Sequence, residues 1–121
     1  MRQVLLADDN SDLRSALRLL LETRLDVELI SEAPDMEHAL AQAEDMLPEC
    51  IVLDWELPGR PRRERIQVLR TLVPGIHIIV TSARPEARDE ALASGADQFA
   101  GKSESPSDIL DAIRNCCAAK E

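Results

Sequence analysis

Four polar stations punctuate this chain: Asp8-Asp9, Asp54, Thr81-Ser82 and Lys102. Three carboxylates brought together repel one another unless a cation joins them. Oxygen ligands of this kind suit a hard octahedral ion such as Mg2+. A carboxylate can also attack phosphorus and form an acyl phosphate. In-line phosphoryl transfer needs such a nucleophile, a metal to neutralise the phosphoryl oxygens, and further donors for the oxygens that remain. Asp8, Asp9 and Asp54 are thus candidate metal ligands, and Asp54 is the candidate nucleophile. Lys102 supplies a mobile positive charge, and Thr81 or Ser82 a hydroxyl donor. Each residue has a plainer reading: acids leading a helix, a loop aspartate, strand-end hydroxyls, a surface lysine. They become a set because each stands at the end of a short apolar run.

Those runs alternate with amphipathic segments. Val4 to Ala7 reads as a strand halted by Asp8-Asp9, and Leu13, Ala16, Leu17, Leu20 and Leu21 then recur at helical spacing, capped by Asn10 or Ser11. Val27 to Ile30 is expected as a second strand. Asp35 caps a helix carrying Met36, Ala39, Leu40, Ala43 and Leu47, which stops at Pro48. Cys50 to Leu53 is wholly apolar, as befits a central parallel strand buried on both faces, and Asp54 follows it. Ile66, Leu69, Leu72 and Val73 mark a third helix, ended by Pro74-Gly75. Ile76 to Val80 is a fourth strand with Thr81-Ser82 at its end. Pro85 is expected at the first position of a fourth helix, closed by Gly95. Gln98 to Ala100 is a short fifth strand. Ser105-Pro106-Ser107-Asp108 resembles a capping box before a last helix with Ile109, Leu110 and Ile113. Five strand–helix repeats imply an α/β fold, a parallel sheet with helices on both faces. In such sheets ligands sit beyond the carboxyl ends of the strands, where all four stations fall.

The chain has 121 residues, 45% of them hydrophobic, enough for one globular core without metal or disulfide staples. With no linker or repeat visible, residues 1–121 read as one domain. One Trp, one Phe and no Tyr make that core aliphatic. No apolar run approaches a membrane span, and the first residues lack the form of a secretory signal, so a cytoplasmic location is expected. A net charge of −9 argues against nucleic-acid binding by this domain. Cys50, Cys116 and Cys117 offer neither a pairing framework nor metal spacing; Cys50 reads as a buried small hydrophobe and the other two as helix filler.

Leu5-Leu6-Ala7-Asp8-Asp9-Asn10, Val52-Leu53-Asp54-Trp55-Glu56-Leu57-Pro58, Val80-Thr81-Ser82-Ala83 and Gly95-Ala96-Asp97-Gln98-Phe99-Ala100-Gly101-Lys102 together resemble the ordered signature of response-regulator receiver domains. The resemblance spans essentially the whole chain and is most similar to receivers of LuxR-type transcriptional regulators. It implies a flavodoxin-like, doubly wound five-stranded parallel sheet of order 2-1-3-4-5 with five helices. It implies Asp54 as phosphoacceptor, and Asp9, Asp54 and the backbone carbonyl of Glu56 as Mg2+ ligands, with Asp8 acting through water. Lys102 would pair with the phosphoryl group, Thr81 would be the switch hydroxyl and Phe99 the switch aromatic. The phosphoryl source would be a sensor histidine kinase. Activity would extend only to self-phosphorylation and autodephosphorylation, short of a conventional enzyme. A reshaped surface would follow, with homodimerisation on phosphorylation and control of transcription through a DNA-binding domain lying outside these residues.

Three departures from the family pattern stand out. The usual Asp-Gly beyond the central proline is replaced by the basic stretch Pro58-Gly59-Arg60-Pro61-Arg62-Arg63. The Thr81 to Lys102 interval is one residue short, which keeps Ser82 open as the switch hydroxyl beside the favoured Thr81. Lys102 is followed by Ser103 rather than proline, so a trans bond is expected there. The unusual loop is also the best ground for the alternative, a stand-alone or phosphorylation-independent receiver acting as a protein-binding module. A magnesium-dependent phosphohydrolase is disfavoured, because its paired acids would be spaced Asp-x-Asp after the first strand.

Overall fold

The structure, a computed structural model, describes residues 3–102 and 105–118. In chain order the elements are β1 (Gln3–Ala7), α1 (Ser11–Arg24), β2 (Leu29–Ala33), α2 (Met36–Met46), β3 (Cys50–Asp54), α3 (Arg62–Leu72), β4 (His77–Ser82), α4 (Ala87–Ala93), β5 (Gln98–Gly101) and α5 (Pro106–Ala118). The strands form one parallel sheet in the order β2-β1-β3-β4-β5; the alternation led to a parallel sheet, and the family resemblance to this order. Strand side chains alternate between two cores. Leu5, Ala7, Ile51, Leu53, Ile78 and Val80 pack under α2, α3 and α4; Val4, Leu6, Cys50, Val52 and Ile79 pack under α1 and α5. Burial on both faces explains why β3 is apolar at every position before its last residue.

Local chemistry sets the element ends. The Asn10 side chain accepts from the Asp12 and Leu13 amides, so Asn10 rather than Ser11 caps α1. Asp35 accepts from the His38 amide at the start of α2. At the end of α4 the Gly95 amide bonds to the Leu92 carbonyl and the Ala96 amide to Ala91. That paired closure requires the positive φ of 110° at Gly95. Before α5 the Asp108 carboxylate accepts from the Ser105 amide at 3.1 Å, the return half of a capping box.

Three expected spans are corrected. α2 ends at Met46, and Leu47, expected on its apolar stripe, is instead an exposed left-handed cap with φ 49°. The second strand is not Val27 to Ile30 but Leu29–Ala33. Ser31 and Glu32 look like a polar break, yet β2 is an edge strand whose outward side chains find polar partners. Arg14 and Arg18 bond the Glu32 carboxylate at 2.9 and 2.7 Å. Pro85 does not open α4; it lies in a preceding turn, where the Ala87 amide bonds to the Arg84 carbonyl and the Arg88 amide to the Pro85 carbonyl. The Lys102–Ser103 bond, expected to be trans, and the side chains of Cys116 and Cys117 lie outside the described residues.

Candidate functional site

The register fixes which residues meet. Ala7 lies beside Leu53 and Asp54 beside Thr81, so the residue after β1 and the last residue of β3 end side by side, about 4.8 Å apart as neighbouring strands are. Ser82 lies beside Gly101, and the Lys102 amide extends that ladder to the Ser82 carbonyl at 2.9 Å. The β1–β3 junction is also where the order of strands reverses, leaving a crevice above the sheet. Lys102 starts two strands away from Asp54, and its long side chain spans that gap.

Its ammonium lies 2.8 Å from Asp8 Oδ2 and 3.1 Å from Asp54 Oδ2. Asp8 and Asp54 are almost wholly buried, whereas Asp9 is exposed. One carboxylate oxygen from each of Asp8, Asp9 and Asp54 falls within 4.8 Å of the others. The remaining oxygens of the buried pair are turned towards the backbone: Asp8 Oδ1 accepts from the Asn10 amide at 2.8 Å and Asp54 Oδ1 from the Glu56 amide at 3.0 Å. Burial, reinforced by the charge on Asp8, pushes the Asp54 carboxyl above its ordinary value, against the Glu56 amide and Lys102. Burial works against the Lys102 ammonium, but its hydrogen bonds and attraction to Asp8 and Asp54 overcome this and raise its pKa. One lysine charge therefore faces three acids, and a donor set of carboxylate oxygens with that excess of negative charge fits Mg2+.

The two hydroxyls differ sharply. Thr81 Oγ1 is buried without a hydrogen-bond partner, an uncommon state for a buried hydroxyl. Ser82 Oγ donates to Glu56 Oε1 at 2.6 Å and accepts from the Arg84 amide at 3.0 Å. Glu56 also takes Arg84 at 3.2 Å and Arg62 at 3.9 Å, so its carboxylate is held by serine and arginine while its backbone amide serves Asp54. Phe99 is half-buried and packs against the core under α3 and α4, one position before the residue paired with Thr81.

Two neighbours of the site escaped the reading from sequence. Trp55 is fully buried, its amide bonded to the Thr81 carbonyl at 2.8 Å and its indole N–H donating to Glu90 on α4 at 2.6 Å. Arg65 on α3 is also buried. Burial, with Arg62 nearby, lowers its pKa, opposed by Asp54 and Glu56; a guanidinium keeps its charge regardless. The signal for Arg65 was present: four residues before Leu69 and next to Ile66, it falls on the apolar stripe of α3.

Residues 4–114 match the family model described as response regulator receiver domain. The chain is similar to the nitrate/nitrite response regulator protein NarL of Escherichia coli, 31% identical over 97% of this chain and 55% of that protein. It is also similar to the transcriptional activator protein ExaE of Pseudomonas putida, 32% identical over 95% and 55%. It thus spans about half the length of the curated relatives it matches. Among solved structures, a LuxR-family two-component response regulator from Aurantimonas sp. superposes with a TM-score of 0.85 at 25% identity, covering 97% of this chain and 85% of that one.

Proposed function

The chain belongs to the response regulator receiver domain family, and from that premise we propose that Asp54 is its phosphoacceptor, served by Mg2+ and supplied by a sensor histidine kinase. The observation that carries this reading is the meeting of Asp8, Asp9 and Asp54 within 4.8 Å under a lysine that contacts both buried acids. Asp8, Asp9, Asp54 and the Glu56 carbonyl would hold the cation, which when bound neutralises charge on the phosphoryl oxygens.

The chain's own groups have separable tasks. An Asp54 carboxylate oxygen forms the new bond to phosphorus while the bond from phosphorus to the donor nitrogen or oxygen breaks and the donor leaves with that electron pair. Lys102 favours the ionised carboxylate beforehand, against burial, and exchanges one of its contacts for a phosphoryl oxygen afterwards. Thr81 is favoured over Ser82 as the switch hydroxyl, because its Oγ1 is unpartnered while Ser82 is engaged twice. The inward turn of Thr81 makes room for Phe99, which has no hydroxyl and reports only by burial. Residues 1–121 are read as a single receiver domain, and its output, control of transcription through a further domain and phosphorylation-dependent homodimerisation, extends the likeness to NarL and ExaE. The phosphorylation-independent alternative finds no support in these relatives. No helix among the described residues is long and apolar enough to cross a membrane.

Incubation with acetyl phosphate and Mg2+, followed by intact-mass measurement, tests the reading. One phosphoryl group per chain is expected, dependent on Mg2+ and absent from Asp54→Asn. Undiminished labelling of that variant would refute the nucleophile. Continuous turnover of a generic phosphate ester would point to a hydrolase instead.

A further inference from the structure

A buried cation in an aliphatic layer needs a reason. Arg65 exposes only 4% of its surface and lies on α3 between neighbours of the apolar core. Its guanidinium is spent on backbone carbonyls. Nε donates to Arg60 at 2.9 Å. One terminal nitrogen donates to Trp55 at 2.9 Å and reaches Asp54 at 3.5 Å. The other donates to Leu57. Arg62 adds a second bond to the Trp55 carbonyl at 3.0 Å.

These acceptors lie at the end of β3 and along the segment that joins it to α3. Besides Arg60, the carbonyls engaged are those of Asp54, Trp55 and Leu57, on either side of Glu56. The segment has no regular ladder to hold it there. Past the Trp55 amide, which bonds to the Thr81 carbonyl, its next amides bond only locally, Glu56 to the Asp54 carboxylate and Leu57 to the Asp54 carbonyl. A planar, always-ionised fork with five donors can pin several carbonyls at once, which a lysine cannot do. At the far end the segment is pressed against α2, where the Met36 amide bonds to the Pro58 carbonyl at 2.9 Å and a Cβ on Gly59 would fall 2.7 Å from Met36 Cβ.

We infer that Arg65 is a positioning residue for the phosphoacceptor site: its guanidinium clamps the carbonyls around Glu56 and so presets the backbone that the cation and Asp54 require. The inference rests on the reading of Asp54 as a Mg2+-dependent phosphoacceptor. It also assigns work to the basic stretch that stands where the family pattern has Asp-Gly. The loop is rigidified from inside the core, by an arginine of the helix it leads into.

The test compares wild type with Arg65→Met, which fills the same apolar space, and Arg65→Lys, which keeps the charge but not the fork. In the metal-free protein, amide hydrogen exchange at Glu56 and Leu57 is expected to quicken by about tenfold or more in Arg65→Met, and by less in Arg65→Lys. The Trp55 amide, held in the sheet by Thr81, stays protected. Mg2+ titrations followed by Trp55 fluorescence are expected to weaken by about tenfold or more, the usual range for supporting groups around a metal, with partial rescue by lysine. Unchanged exchange at Glu56 and Leu57, or Mg2+ affinity within about twofold of wild type, overturns the assignment. So does loss of a cooperative melt in both variants, which would make Arg65 a requirement of folding. Wild-type protein that binds no Mg2+ instead sinks the phosphoacceptor reading, and the exchange measurement still decides what Arg65 does to the loop.

Discussion

Burial and Asp8 make the charged form of Asp54 less favourable than in the unfolded chain, and that has a thermodynamic signature. Burial and the neighbouring Asp8 raise its pKa in the fold above the ordinary 3.8. Between the two values the folded chain binds more protons than the unfolded chain. The contribution of this group to stability is therefore complete below the unfolded value and is lost as pH rises through the folded one. At neutral pH the carboxylate costs stability, so Asp54→Asn, which cannot ionise, is expected to raise the melting temperature by a few degrees, on the order of 1 kcal/mol. The gain shrinks as the pH falls towards the ordinary carboxylate range. Thermal melts at neutral and mildly acid pH check this, and a gain that grows on acidification would contradict it. Lys102 is shifted in the same direction, but its ordinary value of 10.5 lies far above neutrality, so the stability its raised pKa gives is fully present at neutral pH and is lost only as pH rises through the folded value. The site is thus strained electrostatically in a way that added positive charge relieves.

At the scale of elements, the Trp55 indole ties the end of β3 to α4 through Glu90. α4 has only seven residues, with Ala87 and Ala91 its buried side chains, so it buries little area and depends on such ties. Replacing Glu90 with Ala leaves the indole N–H short of its acceptor and is expected to cost about 1 kcal/mol. Glu90→Gln, which retains an oxygen acceptor, is expected to lose less. Denaturant unfolding gives the cost, and the emission of the single tryptophan should shift to longer wavelength in Glu90→Ala but not in Glu90→Gln. Identical spectra and stabilities for all three proteins would remove Glu90 from this role. The same scale shows why β2 was misplaced in the sequence. A strand at the sheet edge is read by its polar outward residues as a break, although Glu32 is bound by two arginines of α1.

Across the whole molecule, a net charge of −9 places the acidic site in a negative field that gathers cations. A ligand that binds only the folded state stabilises by mass action, by about 2.7 kcal/mol at a hundred times its dissociation constant. Mg2+ at matched ionic strength is therefore expected to raise the melting temperature by several degrees, and Asp9→Asn to abolish most of that rise. An equal rise in both proteins would reveal general screening of an acidic surface rather than a site.

The alternation of apolar runs and amphipathic segments determined a parallel sheet covered by helices on both faces. Asp8, Asp54 and Lys102 were legible because each directly follows an apolar strand, and parallel pairing carries strand ends to one edge. Asn10 and Gly95 marked their helix ends because capping is local chemistry. Other matters were decided only by tertiary structure. Which of the hydroxyls of Thr81 and Ser82 finds a hydrogen-bond partner is one, and that partner, Glu56, lies 26 residues away from Ser82. The bond from Trp55 to Glu90 spans 35 residues. The role of Arg65 depends on carbonyls exposed by a loop whose path no residue pattern specifies. Periodicity records which way a side chain faces; it does not record which polar group from another segment will be waiting there.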